Sequence, residues 1–305
     1  MSVKVAVMMA ESTGGSHQTV PVERLRPGDH SCLAFADVEA RWQVLTTYTR
    51  TGLARGEKVL LILDPDDLGD DDVVAHMDCG SGHVEAARDS GQLVLERNTS
   101  VYLPDGRFDK DRQVATYAAV AESCKREGWP WLRGAADMSW ALKPGVDFDE
   151  VVAYEAFFEP MLADSRLSAI CWYDQRQFSD HMVAAVGAVH PIQVMERLDA
   201  VHVTRFPNGR RIAGSAELST RAEFVEALRE TLKQRDALAS FHFELDLTDL
   251  CFMEAYCAGQ LISFAAALPE GSKVTVRCGP MLELVLRSLG SDAVSQLRLS
   301  VQEEP

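Results

Sequence analysis

Residues 31–65, SCLAFADVEARWQVLTTYTRTGLARGEKVLLILDP, decide the fold class. SCLAF reads as a short buried strand. Beyond it the apolar period changes: Trp42, Leu45, Tyr48 and Leu53 recur at helical spacing, with Asp37 placed to cap the first turn and Gly56 to close the last. KVLLILD then runs apolar without alternation, the pattern of a strand covered on both faces. Strand, helix and strand at this spacing predict a parallel sheet with crossover helices.

The same alternation extends outward. HVEAARDSG, DKDRQVATYAAVAESCKREG, DFDEVVAYEAFFEPMLADS and SDHMVAAVGAVHP have helical character, and they alternate with the strand-like runs QLVLER, WPWLRGAADMSWAL and SAICWYD. Together they predict an α/β domain of about 170 residues. The acidic DPDDLGDDD, residues 64–72, reads as a solvated turn. A change of pattern near residues 196–202 marks a boundary, giving a flexible tail over 1–22, a first domain over 23–197 and a second over 200–303. In the second domain PNG at 207–209 signals a hairpin. STRAEFVEALRETLKQRDA follows as a helix, FHFELDLTDL as a strand, EAYCAGQLISFAAALP as a helix, SKVTVRCG as a strand and PMLELVLRSLG as a helix opened by Pro280.

The chain has 305 residues, 46 acidic against 30 basic, for a formal charge of −16. Such a field repels phosphate backbones, and no basic patch longer than GRR at 209–211 offsets it, so direct nucleic-acid binding is not expected. No apolar run is long enough to span a bilayer, and the N-terminus shows no leader pattern. Seven cysteines without paired spacing and without C-x-x-C suggest reduced thiols in a cytoplasm rather than a disulfide framework or a zinc ribbon. The apolar LISFAAAL, residues 261–268, suits a homodimer contact as well as a core.

The C-terminal third carries a resemblance. RIAGSAELSTRAEFVEALRE, FHFELDLTDLCFMEAYCAGQLISFAAAL and VTVRCGPMLELVLRSLG, in that order, resemble a STAS domain, the fold of anti-anti-sigma factors. The resemblance implies an anti-sigma factor or another STAS-binding protein as partner. It also implies a phosphorylation switch in a loop of the form F-x-D-S-S-G, where a phosphate at a helix N-terminus changes local charge by up to about two units. Laid on this chain, that loop falls on Glu254, Ala255, Tyr256 and Cys257. Both serines are replaced and the acceptor hydroxyl is missing, which leaves the pair Tyr256 and Cys257 to pack the corner, or to be modified by other chemistry.

The N-terminal part resembles the MEDS domain over roughly residues 23–195, through LRPGDHSCLAF, GLARGEKVLLILDP, VYLPDGRFD, DMSWAL, ICWYDQRQF and AVHP. That family is a sensory module of methanogen proteins and of a dichloromethane-responsive regulator. The resemblance implies sensing of hydrocarbon derivatives on a degenerate RecA/KaiC-like parallel sheet flanked by helices, with GDHSC, residues 28–32, where a phosphate-binding loop would sit. Those residues lack the lysine and the Gly-Lys-Ser/Thr ending that phosphate and magnesium need, so ATP hydrolysis has no support.

Polar residues near strand ends remain as candidate ligand-binding positions: Asp29, His30, Cys32, Asp137, Trp140, Tyr173, Asp174, Arg176 and His190. Ligands of open parallel sheets bind beyond the carboxyl ends of the strands. Each residue also has a structural reading, with the histidines bonding loop backbone, Cys32 and Trp140 in the core, and Asp174 paired with Arg176. A metal site of His30, Cys32, Cys171 and His190 has no spacing to support it, so neither a metal nor a catalytic residue is expected. The reading is a non-enzymatic regulator that senses a small molecule through one domain and binds a protein through the other; no cofactor is named. The alternatives are a nucleotide-dependent enzyme on the RecA-like core and a constitutive adaptor without ligand.

Overall fold

The computed structural model describes residues 18–66, 68–164, 166–233 and 241–302. The chain divides into two compact units, Gln18–Ala200 and the part from Val201 onward. The first contains β1 (Gln18–Val20), β2 (His30–Phe35), α1 (Val38–Ala54), β3 (Lys58–Leu63), α2 (Asp70–Asp78), α3 (His83–Asp89) and β4 (Leu93–Arg97). It continues through α4 (Asn98–Tyr102), α5 (Lys110–Arg126), β5 (Leu132–Asp137), α6 (Phe148–Asp164), β6 (Leu167–Asp174), α7 (Asp180–Val189) and β7 (Ile192–Val194). Seven strands form one sheet in the order β1-β7-β2-β6-β5-β3-β4, and every pairing in it is parallel.

Because side chains alternate across a strand, each strand feeds two cores. Leu33, Phe35, Leu61, Leu63, Ile170 and Trp172 pack on one face with Trp42, Leu45 and Tyr48 of α1. Cys32, Leu60, Ile62, Ala169, Cys171 and Tyr173 pack on the other with Tyr117 of α5, Tyr154 and Phe158 of α6, and Val186 of α7. This two-sided burial is what the unbroken apolar run of β3 encodes. The Asp37 side chain accepts from the backbone N–H groups of Glu39 and Ala40, so the expected cap of α1 forms.

Three expectations need correction. Gln18–Val20, assigned to the tail, is an edge strand paired with Ile192–Val194; residues 1–17 lie outside the described residues. The acidic stretch is not all turn, since Asp70, Asp71 and Asp72 form the first turn of α2, where carboxylates face the positive end of the helix dipole. GDHSC does not occupy a phosphate-loop position. It enters β2 at its amino end, whereas a phosphate loop leaves its strand at the carboxyl end and opens a helix. Here that handover is Ala36–Asp37, two residues long.

The second unit contains β8 (Val201–Phe206), β9 (Gly209–Ala216), α8 (Arg221–Lys233), β10 (His242–Asp246), β11 (Leu250–Met253), α9 (Ala255–Ala266), β12 (Lys273–Cys278), α10 (Pro280–Ser288) and β13 (Leu297–Val301). Its sheet is mixed. β8 and β9 form the expected antiparallel hairpin, with Phe206 opposite Gly209 across Pro207-Asn208, and the other pairings are parallel in the order β11-β9-β10-β12-β13. β11 and β13 were not anticipated, because both are short. Residues 234–237, expected to extend α8, lie outside the described residues. Among the described residues no helix is long and apolar enough to cross a membrane, and none of the seven cysteines forms a disulfide.

Candidate functional site

The strand-end residues singled out in the sequence separate into three groups. The first lies within the sheet face covered by α6 and α7. His30 and Cys32 share that face of β2 by alternation, and Cys171 and Tyr173 share it on β6, where Cys32 and Cys171 are register partners. His190, at the end of α7, completes the group, its ring centroid 4.1 Å from that of His30.

The centre of the group is Glu155 on α6, which the sequence reading missed. His30 Nε2 lies 3.0 Å from Glu155 Oε2 and His190 Nε2 lies 3.5 Å from the same oxygen. The Cys171 thiol approaches it at 3.7 Å, and the Tyr173 hydroxyl donates to Oε1 at 3.5 Å. All these side chains are buried. Burial alone would raise the Glu155 carboxyl, but the hydrogen bonds of His190 and His30 outweigh it and hold it down at about 2. Burial, reinforced by the Glu155 charge, pushes the Cys32, Cys171 and Tyr173 acids up. Burial and the neighbouring His30 hold His190 below the usual histidine range. A signal for Glu155 exists in the sequence: Val151, Tyr154, Glu155 and Phe158 form an i, i+3, i+4, i+7 stripe, so a carboxylate sits on the apolar face of its helix.

The second group gathers at the carboxyl ends of β3, β4 and β5. Asp137 accepts from Asn98 Nδ2 at 3.1 Å, from the Ser139 N–H at 2.8 Å and from Trp172 Nε1 at 2.6 Å, while the Ser139 hydroxyl donates to Asp64. Burial raises the Asp137 carboxyl. Trp140 is not at this group. It is buried, its ring stacked on Tyr102 at 4.4 Å, so it belongs to the core.

The third group follows β6. Arg176 grips Asp174 with Nε at 2.8 Å and Nη2 at 2.6 Å, its own N–H adds a bond at 2.9 Å, and Gln177 adds another at 3.1 Å. Arg176 thereby holds Asp174 at about 2. Next to this edge, at the start of α1, the N–H groups of Ala36 and Asp37 donate to Glu196 Oε1 at 2.6 and 2.9 Å. Asp29 directly precedes His30 at the amino end of β2, the opposite end from the second and third groups, and its side chain accepts from the Arg26 N–H at 2.7 Å. A cleft of about 400 Å³ lies beside α5 near Tyr117, Cys124, Trp129 and Trp131, and none of the expected site residues lines it.

A family profile described as MEthanogen/methylotroph, DcmR Sensory domain (MEDS) matches residues 29–191, more than half of the chain. The chain belongs to the MEDS family. No curated protein matches it. Among solved structures, the flagellar accessory protein FlaH from Methanocaldococcus jannaschii is similar at 10% identity and a TM-score of 0.37, over 62% of this chain and 80% of that one. The MEDS match spans His30, Glu155, Cys171 and His190, so the buried histidine–carboxylate group lies within the sensory domain.

In the second unit, Glu254 directly precedes α9 and its carboxylate is gripped by Arg221, with Nη2 at 2.9 Å. That hydrogen bond holds Glu254 below the usual carboxylate range. The Arg221 guanidinium also lies 4.6 Å from the centre of the Tyr256 ring, which is 49% exposed. Cys257 is fully buried beneath the corner, its thiol pushed up to about 11 by burial and by Glu254. Ala255 opens the helix and offers no side-chain donor or acceptor.

Proposed function

We propose that this chain is a non-enzymatic cytoplasmic signalling regulator. Its MEDS domain takes up a small organic molecule, a hydrocarbon derivative, and its second domain, of the STAS type, passes the state on by binding an anti-sigma factor or related protein.

The observation that carries the sensory half is the MEDS match over residues 29–191. Against a nucleotide-dependent reaction stands the chemistry at the start of α1. The N–H groups that a phosphate would use are taken by the Glu196 and Asp37 carboxylates, and an anion arriving there meets two negative charges. The connection Ala36–Asp37 has no glycine and no lysine.

For the second domain, support comes from the order hairpin, helix, strand, short strand, helix, strand, helix, and from the loop Glu254–Cys257 at the position of the family's switch. With Ala255 and Tyr256 there, serine phosphorylation is not the trigger. Tyr256, beside Arg221, and Phe252 on β11 present apolar surface at 49% and 53% exposure, which suits a protein partner.

The test is the thermal midpoint of the full chain against a panel of short-chain and halogenated hydrocarbons, with magnesium ATP as control. A midpoint that rises with the concentration of one organic compound and ignores ATP is expected, because a ligand held by the native state alone stabilises it by mass action. Phosphate release from ATP that Asp137→Asn abolishes would overturn the reading in favour of an enzyme.

A further inference from the structure

The group around Glu155 has the make-up of a metal centre. His30 Nε2, His190 Nε2, Cys171 Sγ and a Glu155 oxygen all lie within 4.8 Å of one another, and all four residues are buried. We propose that these four side chains bind one divalent transition-metal ion, zinc in the first instance, inside the MEDS domain.

Three independent features support it. The first is convergence. Both imidazole nitrogens and the thiol approach a single carboxylate oxygen, at 3.0, 3.5 and 3.7 Å. Ligand atoms around a tetrahedral zinc stand roughly 3.5 Å apart, so the group needs to contract by about 1 Å at its widest, which side-chain torsions supply.

The second is the tautomer of His190. Its Nδ1 lies 2.8 Å from the Val186 carbonyl oxygen, which can only accept, so Nδ1 carries the proton. That leaves Nε2, 3.5 Å from Glu155 Oε2, as the ring nitrogen that would bind an ion. The bond from Nδ1 to a backbone carbonyl is the outer contact that orients metal-bound histidines.

The third is charge. An ionised carboxylate and a thiolate together balance a divalent ion, and two neutral imidazoles complete four ligands at zero net charge, the condition under which a charged group is tolerated in a core. Imidazole and thiolate select zinc, iron or cobalt over magnesium or calcium. On binding, the Cys171 proton leaves to solvent and its sulfur forms the metal bond; no electron changes hands.

The inference does not depend on the sensory reading, since a structural ion and a ligand-sensing ion occupy the same four side chains. To test it, full-length protein is expressed in medium supplied with zinc, and separately unfolded and refolded with cobalt(II). Metal is then counted after dialysis against a chelator, and the cobalt absorption spectrum recorded. The expected result is roughly one equivalent per chain by either route, with a sulfur-to-cobalt charge-transfer band that disappears in Cys171→Ser. Folding of that variant is checked by circular dichroism. If it does not fold, the unaltered protein decides: the thiolate band supports the site, and its absence overturns it, because no other cysteine among the described residues belongs to such a group. Metal below about a tenth of an equivalent by both routes, or metal undiminished in Cys171→Ser and His190→Asn, also overturns it.

Discussion

At the scale of single residues, the chemistry of this chain depends on which charge faces which. Asp174 is the clearest case. Arg176 and Gln177 hold its carboxylate at about 2, so its folded value lies below its unfolded one. Its contribution is therefore complete above the ordinary aspartate value of 3.8 and is lost as pH falls from there toward 2. Asp174→Asn should flatten the loss of stability across that window and cost about 1–2 kcal/mol at neutral pH; urea unfolding at a series of pH values checks both. Tyr256 is the second case. Incubated with a serine/threonine kinase of the anti-sigma class, the full chain should carry no phosphate at position 256, whereas labelled Tyr256 in a peptide map would contradict the switch reading. What the sequence concealed at this scale is Glu155. His30, Cys32, Tyr173 and His190 could be named because their motifs stand out, but the side chain that gathers them lies 125 positions from His30. Only a carboxylate out of place on an apolar stripe betrays it.

At the scale of elements, the strand–helix–strand unit was legible because continuous apolar runs mean two-sided burial and the Asp37 cap marks a helix start. The direction in which a strand presents its ends was harder to read. GDHSC resembles a loop feeding a helix, yet it feeds β2, and the helix-opening turn is Ala36–Asp37. Glu196 reaches that turn from a distant part of the sequence, so its role could not be seen locally. Glu196→Ala should cost about 1 kcal/mol, as loss of a helix cap does, read as a lowered urea midpoint with unchanged slope. The seat of α1 on the sheet is equally specific. Gly52 lies against Arg133, whose guanidinium covers the Tyr48 ring at 4.5 Å and bonds Glu57. A Cβ there would stand 2.6 Å from Arg133 Cδ and 3.0 Å from Val59 Cγ2. Gly52→Ala gains helix propensity but displaces a buried ion pair, so a net loss of about 1–2 kcal/mol is expected in denaturant unfolding. A more stable Gly52→Ala protein would show that Arg133 has room to move.

At the scale of the whole molecule, the chain is a seven-stranded parallel unit and a smaller mixed-sheet unit, each with its own core. The pattern change read near residues 196–202 lies where β8 of the antiparallel hairpin begins, at Val201. The short strands β1, β7, β11 and β13 escaped because three to five residues carry too little periodicity to separate from loop. No local motif could name a ligand, because specificity resides in the shape and polarity of a site assembled from many segments. The central claim, that the MEDS domain carries a small molecule as a sensor does, is tested most directly by native mass spectrometry of the protein purified from its own host, with a denaturing measurement on the same sample. An added mass that disappears on denaturation is expected, and it identifies the ligand. An organic component would be the sensed molecule, and a metal ion alone would speak only for the centre around Glu155. Bare polypeptide mass under both conditions, in cells exposed to the sensed compounds, would contradict the claim and leave a protein that works through contacts alone.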